Sequence, residues 1–469
     1  MKLLSALCDK KNYATSVRKL FSQSTNNQNF KKMNKIFAAL FLSIISMAFL
    51  EISDPILNAT FDKKIIQEDL PYLLGFYKKR HQNPELSLHE KETAADLAAE
   101  LRKAGFDVTE NFGGHGIVGI LKNGDGPTIL YRTDMDALPM HEKTDLPYAS
   151  EKVVEKNGQQ VGAMHSCGHD MHMTTLLGTA RAMAKIKDKW TGTLMLIGQP
   201  AEELGKGAKM MIDEGLYENF GVPNYGIGLH CSPTIPAGQV GFGSGYTMAN
   251  TEMIDIKIYG VGAHGASPHQ SIDPVVLASM MVIELQTIVS RSVQPTDAAV
   301  VTVGAINGGT IHNVIPDNVH LKLTVRTFKE ETRQLVHQRL RDIARGTAIA
   351  AGVPKDKMPE VLIPDVFTPA NYNNPDLVKK LVASAKTAIG ANNVINAAPL
   401  MVGEDFSRYG QTPEQVPTVL YWLGTVPEER MKSGDMPGLH SPFYYPEPEK
   451  TLVTGMEVMV QSLLDLMEK

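Results

Sequence analysis

At 469 residues, 43% apolar and 21% charged, the chain is too long for a single core and too apolar for a disordered segment, so a soluble globular protein of two domains is expected. Its 46 basic and 51 acidic side chains leave a formal charge of −5 with no long basic stripe in the body, which argues against nucleic acid as a partner. Three cysteines cannot staple a fold with disulfides: Cys8 lies near the amino terminus, Cys167 in a motif with His169, and Cys231 reads as a small buried apolar residue.

The first element in chain order is an uncharged apolar run at 36–50, preceded by Lys31, Lys32 and Lys35. A membrane-spanning helix needs about 20 such residues, so this shorter run has the form of a signal-peptide core, with Ser46-Met47-Ala48 offering a cut after Ala48. Residues 1–60 are therefore read as a leader, with Met33 as an alternative start. Export to the periplasm or the medium is expected, a cytoplasmic or organellar address being the alternative, and no stable membrane span is expected in the mature chain.

Ser87-Leu88-His89-Glu90 has the spacing of a capping box, and Ala94, Leu97, Ala98 and Leu101 follow at helical intervals until Gly105. Short apolar runs then recur at 116–121, 128–131, 194–198 and 225–229, interleaved with helical stretches such as 171–186. Alternation of this kind predicts an α/β fold with a mostly parallel sheet covered by helices, and 61–247 reads as the first part of a catalytic domain. Asp134 and Asp136 follow the strand at Ile129, Glu202 and Glu203 the strand at Leu194, and His230 the strand at Gly226. Ligands of open α/β sheets gather at the carboxyl ends of strands, so these separate motifs can converge there.

Between 248 and 366 the texture changes to strand, helix, strand, strand, helix and a short strand near Val361, the β-α-β-β-α-β order of a ferredoxin-like α+β sandwich. It reads as an inserted lid or dimerisation domain, after which 367–469 would complete the catalytic domain and carry His440 back to the other motifs.

The chemistry rests on Cys167, His169, Glu203, His230 and His440, a thiol, three imidazoles and a carboxylate able to hold one or two divalent ions of the zinc or manganese type. Glu202 stands beside them as a carboxylate free to move a proton. Taken one at a time, each has a plainer explanation. Cys167 and His169 could be a packed pair, Glu202-Glu203 a solvated turn, and His230 and His440 hydrogen-bonded histidines.

Seven motifs in order outweigh those explanations. They are Arg80-His81-Gln82-Asn83-Pro84-Glu85-Leu86-Ser87, Arg132-Thr133-Asp134-Met135-Asp136-Ala137-Leu138-Pro139, His165-Ser166-Cys167-Gly168-His169-Asp170, Gln199-Pro200-Ala201-Glu202-Glu203, Gly262-Ala263-His264-Gly265-Ala266-Ser267-Pro268-His269, Gly403-Glu404-Asp405-Phe406 and Gly438-Leu439-His440-Ser441-Pro442. From about Ile65 to the carboxyl terminus the chain resembles the amidohydrolase branch of the aminoacylase/carboxypeptidase metallopeptidase family, which includes hippurate hydrolases, N-acyl-amino-acid amidohydrolases and plant auxin-conjugate hydrolases.

The resemblance implies metal ligation by Cys167, His169, Glu203, His230 and His440, with the helix start after Cys167 favouring a thiolate. It implies that Glu202 is the general base. In the wider family a histidine ligand opens a His-x-Asp motif, whereas Arg132 stands at that place here, so Asp134 and Asp136 are expected to orient ligands rather than bind metal. By the same resemblance, His264 reaches across a dimer interface to steady the oxyanion, while Asn313 and Arg326 hold a substrate carboxylate. The implied activity is hydrolysis of N-acyl amino acids by metal-activated water. A metallo-dipeptidase or carboxypeptidase, or a deacetylase of N-acetyl-diaminopimelate, would share these residues, whereas a non-enzymatic binding module would not need the complete set.

Overall fold

The computed structural model describes residues 61–468, so the apolar run at 36–50 and Cys8 lie outside the described residues. In chain order the first half contains α1 (Lys64–Gln82), α2 (Lys91–Lys103), β1 (Asp107–Glu110), β2 (Ile117–Asn123), β3 (Thr128–Asp134), a hairpin of β4 (Val153–Lys156) and β5 (Gln159–Gly162), α3 (His169–Lys185), β6 (Gly192–Gln199), α4 (Gly207–Asp213), α5 (Leu216–Phe220), β7 (Tyr225–Pro236), β8 (Val240–Phe242) and β9 (Gly245–Met248). There follow β10 (Glu252–Tyr259), β11 (Ala263–His264), α6 (Pro274–Thr287), β12 (Ala299–Asn307), β13 (Val314–Ile315), β14 (Asn318–Thr327), α7 (Glu330–Ala350) and β15 (Glu360–Leu362). The chain closes with β16 (Asn371–Asn373), α8 (Pro375–Ile389), β17 (Val394–Asn396), β18 (Thr418–Val426), α9 (Glu428–Ser433) and α10 (Pro448–Leu466).

Eight strands form the main sheet in the order β1-β2-β6-β3-β7-β18-β8-β17. Its centre is parallel, β6 with β3, β3 with β7 and β7 with β18, while β1-β2, β2-β6 and β18-β8 run antiparallel. The central strands are apolar at nearly every position because both faces are covered. Along β6, Leu194 and Leu196 enter one core with α1, α3, α8 and α10, while Met195 and Ile197 enter another with α4, α5, Phe406 and Tyr409. The same alternation splits Tyr131 from Leu130 on β3, and Tyr421 from Leu420 on β18.

A second sheet, β12-β14-β10-β15, is antiparallel throughout. Val319, Leu321, Leu323 and Val325 of β14 alternate into a third core with Ile254, Ile256 and Ile258 of β10, Leu277, Met281 and Leu285 of α6, and Val336 and Leu340 of α7. Ala59–Lys469 nonetheless form one compact unit. Among the described residues one helical stretch, Pro274–Ser292, is long and apolar enough to cross a membrane, and it is the one whose Leu277, Met281 and Leu285 enter this core.

Two local expectations change. Ser87 and Glu90 do not form a capping box: Ser87 Oγ donates to Asp136 Oδ2 at 2.6 Å, and Glu90 Oε1 accepts from the Leu88 and Ala201 N–H groups, so α2 starts only at Lys91. Both side chains tie the loop to the strand ends of the main sheet instead. His230 does not follow its strand but lies inside β7, which continues to Pro236 beside β18 after its pairing with β3 stops at Arg132 and Gly228.

Candidate metal centre

Asp134 is the last residue of β3, and Glu202 begins a single turn of 3-10 helix after β6. Cys167 and His169 flank Gly168, whose φ of 82° turns the chain into α3. Glycine is needed there twice over, for that left-handed backbone and because a Cβ would stand 2.9 Å from Cys231 Sγ. His440 arrives from the far end of the chain with φ 61°, held by its N–H bond of 3.0 Å to the Ser166 carbonyl. Ala201, immediately before Glu202, is also left-handed at φ 49°, and Glu90 Oε1 accepts its N–H at 2.7 Å. Such backbone costs about 1–3 kcal/mol at a non-glycine residue and persists where surrounding bonds hold it.

These loops bring the five donors and Glu202 together. One donor atom each from Cys167, His169 and His230 lie within 4.8 Å of one another, as do those of Cys167, Glu203 and His440, and those of His169, Glu202 and Glu203. Cys167 Sγ is 3.5 Å from His230 Nε2, Glu203 Oε2 is 3.4 Å from His440 Nε2, and Glu203 Oε1 is 3.9 Å from His169 Nε2. The rings are aimed from behind: His169 Nδ1 donates to the Asp136 carbonyl at 2.7 Å and His230 Nδ1 to the Cys231 carbonyl at 2.9 Å, which turns both Nε2 atoms inward. Cys231 is buried and takes no part in these donor groups.

A divalent ion fits what this cluster leaves open. His169 Nε2 and Glu203 Oε1 are buried without a hydrogen-bond partner, and their separation suits two ligands each about 2.0–2.2 Å from one ion. The field is that of a cation site. Burial alone would lower the pKa of His169, but Asp134, Asp136 and Glu203 raise it to about 10. His230 is held neutral, near 4, chiefly by burial. The expected thiolate is not favoured by the chain alone, because burial and the carboxylates of Glu203 and Glu202 push the Cys167 thiol well above its usual range. That direction has a chemical reading: an ion entering here displaces protons, so affinity must weaken as pH falls.

Asp136 accepts the N–H groups of Glu202 at 3.1 Å and Glu203 at 3.0 Å, so it sets the turn that presents both glutamates. Asp134 is engaged by Arg132 Nη1 at 2.7 Å and His172 Nδ1 at 2.7 Å. His172, which the motifs did not single out, also accepts the Cys231 N–H at Nε2, 2.8 Å, so both its nitrogens are occupied. Two more residues went unassigned. Glu404 and Asp405 lie with Glu202 in a buried carboxylate group, and the cation already supplied to it is Arg132, 2.9 Å from Glu404 and 3.2 Å from Asp405. The Gly403-Glu404-Asp405-Phe406 motif could have signalled this, since two adjacent acids in an apolar setting need a buried partner.

His81 was missed as well. It bridges Asp170, next to His169, at 2.6 Å and Glu142 at 3.0 Å. Burial would lower its pKa, yet these two hydrogen bonds raise it from 6.5 to about 10. A raised histidine contributes stability that is complete below 6.5 and is lost as pH climbs towards about 10. His81→Gln should therefore unfold at lower temperature than the wild type at pH 6, with the gap narrowing by pH 10; melts at the two pH values, showing a constant gap, would contradict this.

The other expected site residues are not members of these donor groups. His264 and Asn313 are neighbours on the exposed ribbon of β11 and β13, where Gly265 N–H donates to the Asn313 carbonyl at 2.8 Å. Arg326, partly buried near the end of β14, donates from Nη1 to the Met401 carbonyl at 2.7 Å. No hydrogen bond or ion pair among the described residues connects these three to the donor cluster.

A thiol, three imidazoles and a carboxylate gathered beside an α/β sheet, with a second glutamate alongside, are the equipment of a metallohydrolase. The chain belongs to peptidase family M20/M25/M40, whose family model matches residues 130–465. It is 39% identical over 348 residues to the hippurate hydrolase of Campylobacter jejuni, covering 73% of this chain and 86% of that protein. With the N-acetyl-L-cysteine deacetylase of Bacillus subtilis it shares 38% identity over 380 residues, 80% of this chain and 83% of the other. The crystal structure of Bacillus subtilis YXEP, described as a dinuclear metal-binding peptidase of the M20 family, superposes with a TM-score of 0.69 at 28% identity, covering 87% of this chain and 99% of that one.

Removal of divalent ions with a chelator should lower the melting temperature, and zinc or manganese at a hundredfold excess over its dissociation constant should restore about 2.7 kcal/mol. A melt indifferent to both ions would argue against the site.

Proposed function

We propose that this protein hydrolyses the amide bond of N-acyl amino acids, using one or two divalent ions held by Cys167, His169, Glu203, His230 and His440. The observation that carries the reading is the position of Glu202, buried at the edge of that donor set 3.9 Å from His169 Nε2, with its carboxylate accepting no hydrogen bond among the described residues. Zinc suits the thiolate and imidazoles, manganese the carboxylate and imidazoles. When bound, the ion supplies an activated water and a Lewis acid for the scissile carbonyl. Glu202 takes the proton from the attacking water and returns it to the leaving nitrogen. Asp134 and Asp136 keep the donors oriented from behind.

The remaining roles fall to the second sheet, taken as an inserted ferredoxin-like domain over 248–366 that acts as lid and dimerisation surface, with the catalytic domain formed by 61–247 and 367–469. Asn313 and Arg326 hold the amino-acid carboxylate, and His264 steadies the oxyanion from across a homodimer. Support comes from the exposure of His264 beside Asn313 and from Val276, Met280 and Ile283, which leave an apolar face on α6 open to solvent. The leader supports export, which would be checked by cell fractionation and by a mature amino terminus following Ala48.

The deciding experiment assays chelated protein, resupplied with zinc or manganese, against N-acetyl, N-benzoyl and indoleacetyl amino acids beside N-acetyl-diaminopimelate and dipeptides. Metal-dependent release of the amino acid from the acyl conjugates is expected. Cleavage of dipeptides alone would move the assignment to a dipeptidase of the same family, and no cleavage at all would end it.

A further inference from the structure

The loop after Glu203 and the loop before Glu404 meet on one pair of threonines. Thr251 N–H donates to the Thr368 carbonyl at 2.8 Å, and Thr368 N–H returns to Thr251 at 3.1 Å. A Cβ on Gly205 would stand 2.3 Å from Thr368 Oγ1, and one on Gly403 would stand 2.3 Å from Thr251 Oγ1 and 3.8 Å from Thr368 Cγ2. Each glycine directly follows an exposed aliphatic residue, Leu204 at 45% and Val402 at 43%, and Leu400, at 45%, lies two positions before Val402. Between Leu400 and Val402 sits Met401, whose carbonyl accepts the Arg326 guanidinium at 2.7 Å. The threonine pair thus brings the stretch carrying Leu204, next to the donor Glu203, close to the stretch carrying Leu400 and Val402, whose Met401 carbonyl meets Arg326. None of these three aliphatic side chains belongs to the hydrophobic cores.

We infer that Leu204, Leu400 and Val402 form an apolar subsite beside Arg326 that selects N-acyl amino acids with aliphatic or aromatic side chains over those with charged ones. The inference rests on the N-acyl amino acid reading and adds to it the half of the substrate that is recognised. An amino acid carries its carboxylate and its side chain on the same carbon. With the carboxylate on Arg326, the side chain therefore falls against residues adjoining Met401. Burial of an aliphatic chain there gains hydrophobic free energy, whereas a carboxylate or ammonium would lose its hydration without a partner.

The test measures kcat/KM for N-acetyl-glycine, N-acetyl-leucine, N-acetyl-glutamate and N-acetyl-lysine on the metal-loaded enzyme, and reads ratios between substrates within each variant, so that the active fraction cancels. Wild type should favour leucine over both charged conjugates by about 10–200-fold, the range a small apolar pocket achieves. Leu400→Ser should lower the leucine-to-glycine ratio, and Val402→Lys should lower the leucine-to-glutamate ratio, each by about tenfold. Near-equal wild-type rates for all four conjugates, or ratios unmoved in both variants, would overturn the subsite alone. Absence of activity on every conjugate would overturn the hydrolase reading and this inference together.

Discussion

Glu202→Gln is expected to lower kcat by about 10²–10⁴-fold, the usual contribution of a general acid–base, while metal content and KM stay close to wild type. The amide keeps the size of the carboxylate and the Glu202 N–H bond to Asp136, so the turn that presents Glu203 is retained. It cannot accept a proton. In the chain without metal, burial together with Glu404, Glu203, Asp405 and Asp136 pushes the Glu202 carboxyl well above its usual range. A divalent charge nearby acts in the opposite direction, which ties the base form of Glu202 to metal loading. Because the base is the deprotonated form, activity must fall on the acid side of the profile. Glu203→Gln separates the two glutamates: it should lose metal as well as rate, since Glu203 Oε1, like His169 Nε2, is a buried atom of the donor set left without a partner. Stopped-assay rates with metal analysis on both variants decide the matter. Wild-type turnover in Glu202→Gln would remove it from the mechanism.

How much of this was legible from the order of residues differs between fold and site. The strands announced themselves as apolar runs because both faces of the main sheet are covered, so Ile129 to Tyr131 and Leu194 to Ile197 carry no polar interruption. The alternation of β14 was equally plain, since its other face, with His320, Lys322 and Thr324, stays partly or fully exposed. What the pattern could not reveal was pairing at a distance. Ser87 and Glu90 matched a local cap, yet their partners are Asp136 and Ala201. What opposes a thiolate without an ion was hidden for a related reason: a helix terminus is a local feature, whereas the burial and the carboxylates that raise Cys167 come from other loops. His81, His172 and Glu404 were not read as site residues, because each acts through a contact with a residue far along the chain, although the Gly403-Glu404-Asp405-Phe406 motif did mark Glu404.

Arg132→Met is expected to destabilise the fold by about 3–5 kcal/mol, the cost of leaving buried charges without their partner. Arg132 is fully enclosed and spends its guanidinium on four groups: Gln199 Oε1 at 2.9 Å from Nε, Asp134 Oδ2 at 2.7 Å from Nη1, and Glu404 Oε1 at 2.9 Å and Asp405 Oδ1 at 3.2 Å from Nη2. Burial alone would lower its pKa, but Glu404, Asp134 and Asp405 hold it well above the usual value, so the charge is permanent. Methionine fills the stem and removes that charge, leaving three carboxylates to repel one another beside Glu202. Arg132→Lys should fall between the two, because one ammonium cannot span four acceptors in a fixed fork. The double variant Arg132→Met with Glu404→Gln should recover part of the loss, since it deletes one of the stranded charges. Urea unfolding of the wild type, the two Arg132 variants, Glu404→Gln and the double variant measures this directly, and additive losses in the double variant would show that the two side chains are not coupled. Arg132 thus supplies the positive charge that lets Asp134, Glu404 and Asp405 lie buried together beside Glu202 and the donor cluster.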